Sequence, residues 1–173
     1  SIGKLHYRRE GDPYGFEAEH LPMHVIDGVG ILQTIVREPI PTLRKYVPIM
    51  RASGPGGNTY TDYDARIAEA GVAWLRENAG DTDRPWALFV SLVCPHPPWN
   101  PPAEFFDLYP PESVDLPLGW EDWPRHPGLE DLRTFFGTQE PLEEAVLRRV
   151  IAAYYGMVSY LDHNIGRLLD ALE

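Results

Sequence analysis

An ammonium and an imidazole stand two residues apart in Gly3-Lys4-Leu5-His6. In an extended chain residues i and i+2 face the same way, so Lys4 and His6 can address one ligand together. Lys4 attracts an anionic oxygen as a point charge, and the His6 ring can donate a hydrogen bond or move a proton. The plainer reading is a solvated lysine beside a satisfied histidine. A second imidazole, His96, sits in Cys94-Pro95-His96-Pro97-Pro98 just past an apolar run. Its proline neighbours restrict the backbone that carries it, and the alternative is a ring packed on Trp99 in a rigid loop. His20 and His24 have the four-residue spacing of a helical metal chelate. Pro22 between them argues against a regular helix and for incidental histidines. Asp162, His163 and Asn164 fall inside a helical pattern, where an acid ordinarily faces water. Cys94 is the one cysteine. With nothing nearby to lower its thiol pKa, it reads as a small strand-end hydrophobe.

The elements that must hold these groups follow from periodicity and punctuation. Residues 1–59 read as irregular, broken by Gly and Pro; Ile31, Leu32, Ile35 and Val36 alone have helical spacing before Pro39. Ser53 to Asn58 is expected to be an exposed loop. Thr61, three residues before Asp64, makes an acidic capping box, and Ile67, Ala70, Trp74 and Leu75 then line a helix face that ends at Gly80. Trp86 to Val93 is apolar at almost every position, as in a strand covered on both faces. Ten of the 33 residues from Pro95 to Pro127 are proline, interleaved with Phe105, Phe106, Tyr109, Trp120 and Trp123. Rings need burial, so 95–140 is expected to be an ordered wrapping segment. Apolar residues from Val146 through Val150, Tyr154, Val158, Leu161, Ile165, Leu169 and Leu172 recur at steps of three and four, the stripe of a long helix over 141–173.

Composition removes several classes. Fifteen basic residues against 26 acidic ones leave a net charge of −11. That field repels phosphate backbones and anionic lipid, so neither nucleic acid nor membrane is an expected partner. No apolar run approaches the ~20 residues of a spanning helix. One cysteine excludes an intrachain disulfide and a cysteine metal cluster, and it suits a reducing compartment, so a cytoplasmic location is expected.

Three separated pieces together resemble the sulfatases of the alkaline phosphatase superfamily. Gly3-Lys4-Leu5-His6-Tyr7 is similar to their Gly-Lys-x-His element. Phe89 to Pro98 resembles their buried strand running into a Pro-His-x-Pro loop. Tyr154 to Leu169, with Leu161-Asp162-His163-Asn164-Ile165-Gly166-Arg167-Leu168-Leu169, is similar to the family's long signature helix. Asp12 to Glu17 leans toward the choline-sulfatase-like and phosphonate-monoester-hydrolase-like branch. The resemblance implies an α/β fold of the alkaline-phosphatase type, here a partial one: one buried strand, flanking helices and the proline/aromatic wrapping segment. It implies hydrolysis of small anionic sulfate esters by a formylglycine nucleophile with a divalent cation, commonly calcium. By the same resemblance Lys4 binds sulfate oxygens, His6 contacts the formylglycine hydrate and assists breakdown of the sulfated intermediate, and His96 donates to the sulfate or the leaving oxygen.

The departures from that pattern are as telling. Cys94-Pro95-His96-Pro97-Pro98 is not the Cys-x-Pro-Ser-Arg nucleophile motif, and no metal-ligand motif is present. The chain therefore resembles the middle portion of a sulfatase, one incomplete segment expected to be cut at both ends and to have no turnover alone. The unmatched edges of strand 86–93 are expected to drive self-association. The alternatives are a fragment of a phosphonate monoester or phosphodiester hydrolase, a noncatalytic interaction module built on 95–127, and a metal-binding domain through His20 and His24.

Overall fold

A computed structural model of the chain describes residues 1–5, 13–23, 39–42, 46–80 and 83–173. The expected helix around Ile31 to Val36 lies outside them, as do His6, His24 and Asp12. The chain divides into two compact units, one of Ser1–Gln33, Thr59–Cys94 and Ser159–Glu173, the other of Thr34–Asn58 and Pro95–Val158.

The first unit is built on a small parallel sheet. β1 (Ile2–Gly3) pairs with β2 (Val90–Ser91) in the register Ile2 to Val90 and Gly3 to Ser91. On its other edge β1 forms a bridge with His20, whose carbonyl accepts from the Gly3 amide at 2.9 Å. Parallel strands need a crossover, and α2 (Thr59–Asn78) lies between the two in sequence and packs on both. Its buried residues, Thr61, Asp64, Ile67, Ala68, Gly71 and Leu75, recur at three and four and form one face. The helix begins at Thr59 rather than at Thr61, and Asp64 serves no capping box: its carboxylate turns inward to the sheet. Tyr160, on the last long helix, donates its hydroxyl to the Thr61 carbonyl at 2.7 Å and ties that helix to the first turns of α2.

The strand expected over 86–93 is shorter and more open than its composition suggests. Only Val90 and Ser91 join the ladder, while Trp86 and Phe89 are 42% and 50% exposed. Their rings are partly covered by other aromatics, Trp86 edge-on to Trp74 at 5.1 Å and Phe89 stacked on Phe16 at 6.0 Å. Full burial begins past the ladder, at Val93 and Cys94.

The second unit holds α1 (Tyr46–Arg51), a short helix within the stretch 1–59 that the sequence reads as mostly irregular, and α3 (Ala103–Phe106) and α4 (Pro127–Phe136) within the proline/aromatic wrapping segment 95–140. α4 carries both terminal signals. Pro127 opens it behind the His126 cap, whose ring accepts from the Gly128 amide, and Gly137 closes it in the left-handed conformation at φ 67°. The core gathers Phe106, Val114, Ala152 and Ala153, with Trp99, Tyr109 and Ile151 packed against it.

α5 (Glu144–Asp170) contributes to both units. Its buried face differs from the expected stripe. Ala152, Ala153, Gly156, Met157, Tyr160 and Asn164 are buried, whereas Val158, Ile165 and Leu169 are 41%, 41% and 57% exposed. Small residues let the backbone approach its neighbours. A Cβ on Gly156 would lie 2.8 Å from the Pro101 ring and 3.0 Å from the Phe105 carbonyl. Among the described residues no helix is long and apolar enough to cross a membrane.

Candidate functional site

Lys4 leaves the carboxyl end of β1, the side of a parallel sheet on which ligands gather. The residue before it sets its place. Gly3 has φ +105°, and a Cβ there would stand 2.2 Å from the Ser91 carbonyl oxygen and 3.0 Å from Ile67. Only glycine permits both that torsion and that approach. The Lys4 amide then donates to the Ser91 carbonyl at 3.1 Å, pinning the lysine in register, and Leu5 is buried beyond it.

The exit of β2 is held by a residue that periodicity alone flags only indirectly. Asp64 is fully buried, and its two oxygens accept from consecutive amides, Val93 at 2.7 Å and Cys94 at 2.8 Å. The signal was available in the sequence: Asp64 falls on the same helical face as Ile67, Gly71 and Leu75, where an acid requires partners. Burial, and then the hydrogen bond and charge of Asp64, push the Cys94 thiol far above its ordinary range. A thiol so suppressed is no nucleophile near neutral pH.

His96 lies in the second unit, exposed, with Nδ1 2.7 Å from the Pro97 carbonyl. A carbonyl can only accept, so that contact places a proton on Nδ1. The loop around it has a donor problem: prolines offer carbonyls and no amides. The segment 52–58 supplies the donors. Asn58 Nδ2 reaches the Pro98 and Asn100 carbonyls at 3.1 Å each, and the amides of Gly56 and Gly57 reach Pro101 at 3.0 Å. Asn100 Nδ2 returns to the Ala52 and Gly54 carbonyls, and Trp99 Nε1 donates to Pro95 at 3.2 Å. The Pro97–Pro98 peptide is cis. The loop at 53–58 is exposed at Pro55 and Gly56, as expected, and also acts as a brace: Ser53 is 3% exposed, and its carbonyl accepts from Arg149 at 2.9 Å.

The remaining candidates stand apart from anion chemistry. His20 is exposed and its backbone serves the sheet. Asp162 and His163 are exposed on α5, while Asn164 is buried, donating to the Tyr160 carbonyl and accepting from Arg167. Among the described residues no group of three or more His, Cys, Asp or Glu could hold a metal ion. Those residues therefore do not fit the divalent cation that the resemblance implies, and the buried Cys94, followed by Pro-His-Pro-Pro, does not fit a formylglycine precursor. The first unit has a cleft of about 550 Å³ at the amino end of β1, walled by Phe16, Trp74 and Trp86. The second has an apolar groove of about 440 Å³ along Trp99, Val150, Ile151 and Tyr154. Neither is lined by Lys4 or His96.

Comparison with known proteins places these features in context. The chain is 38% identical over 111 residues to an arylsulfatase of Clostridium perfringens, covering 62% of this chain and 22% of that protein. It is 37% identical over 120 residues to a choline-sulfatase of Rhizobium meliloti, covering 65% and 23%. With human iduronate 2-sulfatase it shares 26% identity over 164 residues, covering 77% and 29%. The chain thus spans roughly a quarter of the length of these curated relatives. Residues 15–173 match the family model Sulfatase, a span that takes in the Asp64 clamp, the His96 loop and α5 and leaves Lys4 and His6 upstream. With its small parallel sheet under helices, this chain belongs to the sulfatase family.

Proposed function

We propose that the chain serves hydrolysis of sulfate esters, with Lys4 binding the sulfate oxygens, His6 contacting the formylglycine hydrate and assisting breakdown of the sulfated intermediate, and His96 donating to the sulfate or the leaving oxygen. The observation that carries this reading is the family match across the β2 exit and its loop. The local build supports it: glycine-fixed geometry delivers Lys4 at a strand end, and a donor network stiffens the backbone under His96. An ammonium in a fixed position stabilises the charge that grows on sulfate oxygens as the ester bond breaks, without reorganising at that moment. His96 is exposed in that loop, with Nδ1 2.7 Å from the Pro97 carbonyl.

The formylglycine and divalent cation belong to this reading as chemistry that the described residues do not supply. The 173-residue chain by itself is accordingly proposed to bind the anion and not to turn over an aryl sulfate. Titration of the chain with inorganic sulfate, followed at the Lys4 and His96 resonances, tests the binding half. Both respond in wild type, and Lys4→Ala and His96→Ala each weaken the response about tenfold, the worth of one charge-assisted contact. Methylphosphonate binding more tightly than sulfate would favour the phosphonate hydrolase alternative. No response of either residue to either anion refutes the assignment, and hydrolysis by the pure chain, abolished by His6→Ala, refutes the inactivity.

A further inference from the structure

We propose that Asp64 is a positioning residue for the anion contact at His96, a proposal that rests on the sulfate reading of that histidine. The carboxylate is fully buried, on the core face of α2. Its oxygens take the amide protons of Val93 and Cys94 at 2.7 and 2.8 Å, short charge-assisted bonds. In a continuing strand, consecutive amides point to opposite edges. Two consecutive amides converging on one carboxylate therefore force the chain out of extended geometry at Val93–Cys94, two residues past the end of the ladder. Asp64 thus decides where the strand stops and how the backbone is held at Cys94, the residue that leads into Pro95 and His96. An apolar residue at 64 would spare the desolvation of a buried charge. What the acid adds is a fixed exit.

The test uses the full chain labelled for nuclear magnetic resonance. In wild type the amides of Val93 and Cys94, which lie outside the ladder, exchange at least about tenfold more slowly than free amides, the factor carried by one good hydrogen bond. Rapid exchange there overturns the proposal with no variant needed. Asp64→Asn keeps the shape but has one acceptor oxygen and meets the second amide with a donor. It is expected to keep the protection of α2, to lose about tenfold protection at one or both amides, and to shift the His96 ring resonance. Its sulfate response weakens severalfold at His96 and stays within about twofold at Lys4, whose place depends on Gly3. Asp64→Glu, which restores two acceptors on a longer arm, recovers amide protection without returning the His96 resonance to its wild-type position. A folded Asp64→Asn chain with wild-type His96 resonance and sulfate response overturns the positioning role. If wild-type His96 ignores sulfate while Asp64→Asn still moves its resonance, the sulfate reading fails and the control of the loop by Asp64 stands.

Discussion

Replacing Gly3 with alanine tests how Lys4 is placed. The added methyl would sit 2.2 Å from the Ser91 oxygen, and a carbon–oxygen contact relaxes only near about 3.3 Å. The strands must therefore part by about 1 Å. That stretches the Lys4 amide bond from 3.1 Å to beyond any useful hydrogen bond. Its loss, with that of the neighbouring Ile2 to Phe89 bond, costs about 1 kcal/mol each. Holding alanine at φ +105° adds about 1–3 kcal/mol. The sum, about 3–5 kcal/mol, is a large share of the about 5–15 kcal/mol that holds a domain together. Urea unfolding measures the loss directly, and amide exchange at Lys4 reports whether the register has gone. A Gly3→Ala chain destabilised by less than about 0.5 kcal/mol, with Lys4 still protected, would show that the close approach is not what sets the lysine.

Two other glycines make a matched pair, and the alkaline limb of stability gives a separate check. Gly71→Ala and Gly156→Ala both gain up to about 1 kcal/mol of helix propensity. At Gly71 the methyl clashes with the movable end of Leu168 and makes ordinary contact with Val90, so stability should change by less than about 0.5 kcal/mol; at Gly156 it meets the Phe105 backbone and the Pro101 ring, and a net loss of about 1–3 kcal/mol is expected in thermal or urea melts. Burial and the Asp64 charge push the Tyr63 hydroxyl up to about 12, and the Cys94 thiol is pushed up as well. The unfolded chain therefore gives up these protons first. Stability is full below the ordinary thiol and phenol values of 9.0 and 10.0 and falls as pH rises past them toward the folded ones. Cys94→Ala and Tyr63→Phe, followed by urea melts between about pH 8 and pH 12, should each flatten that decline.

The elements that local chemistry writes openly are α2 and the presence of α5: helix-favouring residues at helical spacing, with proline and glycine at the margins. What periodicity misjudged has a common physical cause. It weighs bulk, so on α5 it selects Val158, Ile165 and Leu169, whereas the buried face is made of Ala152, Ala153, Gly156 and Asn164, residues chosen for close approach. It also weighs polarity, so it assigns Asp64 to a helix cap instead of a strand exit, and it reads the run at 54–57 as an exposed loop, which Pro55 and Gly56 are, without showing that the Gly56 and Gly57 amides reach the Pro101 carbonyl. Of the candidate site, the residue types around Lys4 and His96 were readable, because unusual backbone leaves glycine and proline in the sequence. The donors that steady the His96 loop are not, because Asn58, Gly56 and Gly57 are about forty residues from it in sequence and nothing local marks their task.

The brace beneath the proline run makes the histidine loop depend on a segment about forty residues upstream. Deleting one glycine from 54–57 would slide the amides past the Pro101 oxygen while every residue from Pro95 to Pro102 stayed unchanged. Tuning of this loop in natural or engineered variants should accordingly surface as insertions and deletions near Gly56, and an inventory confined to the histidine's own neighbours would overlook the place where its freedom is adjusted.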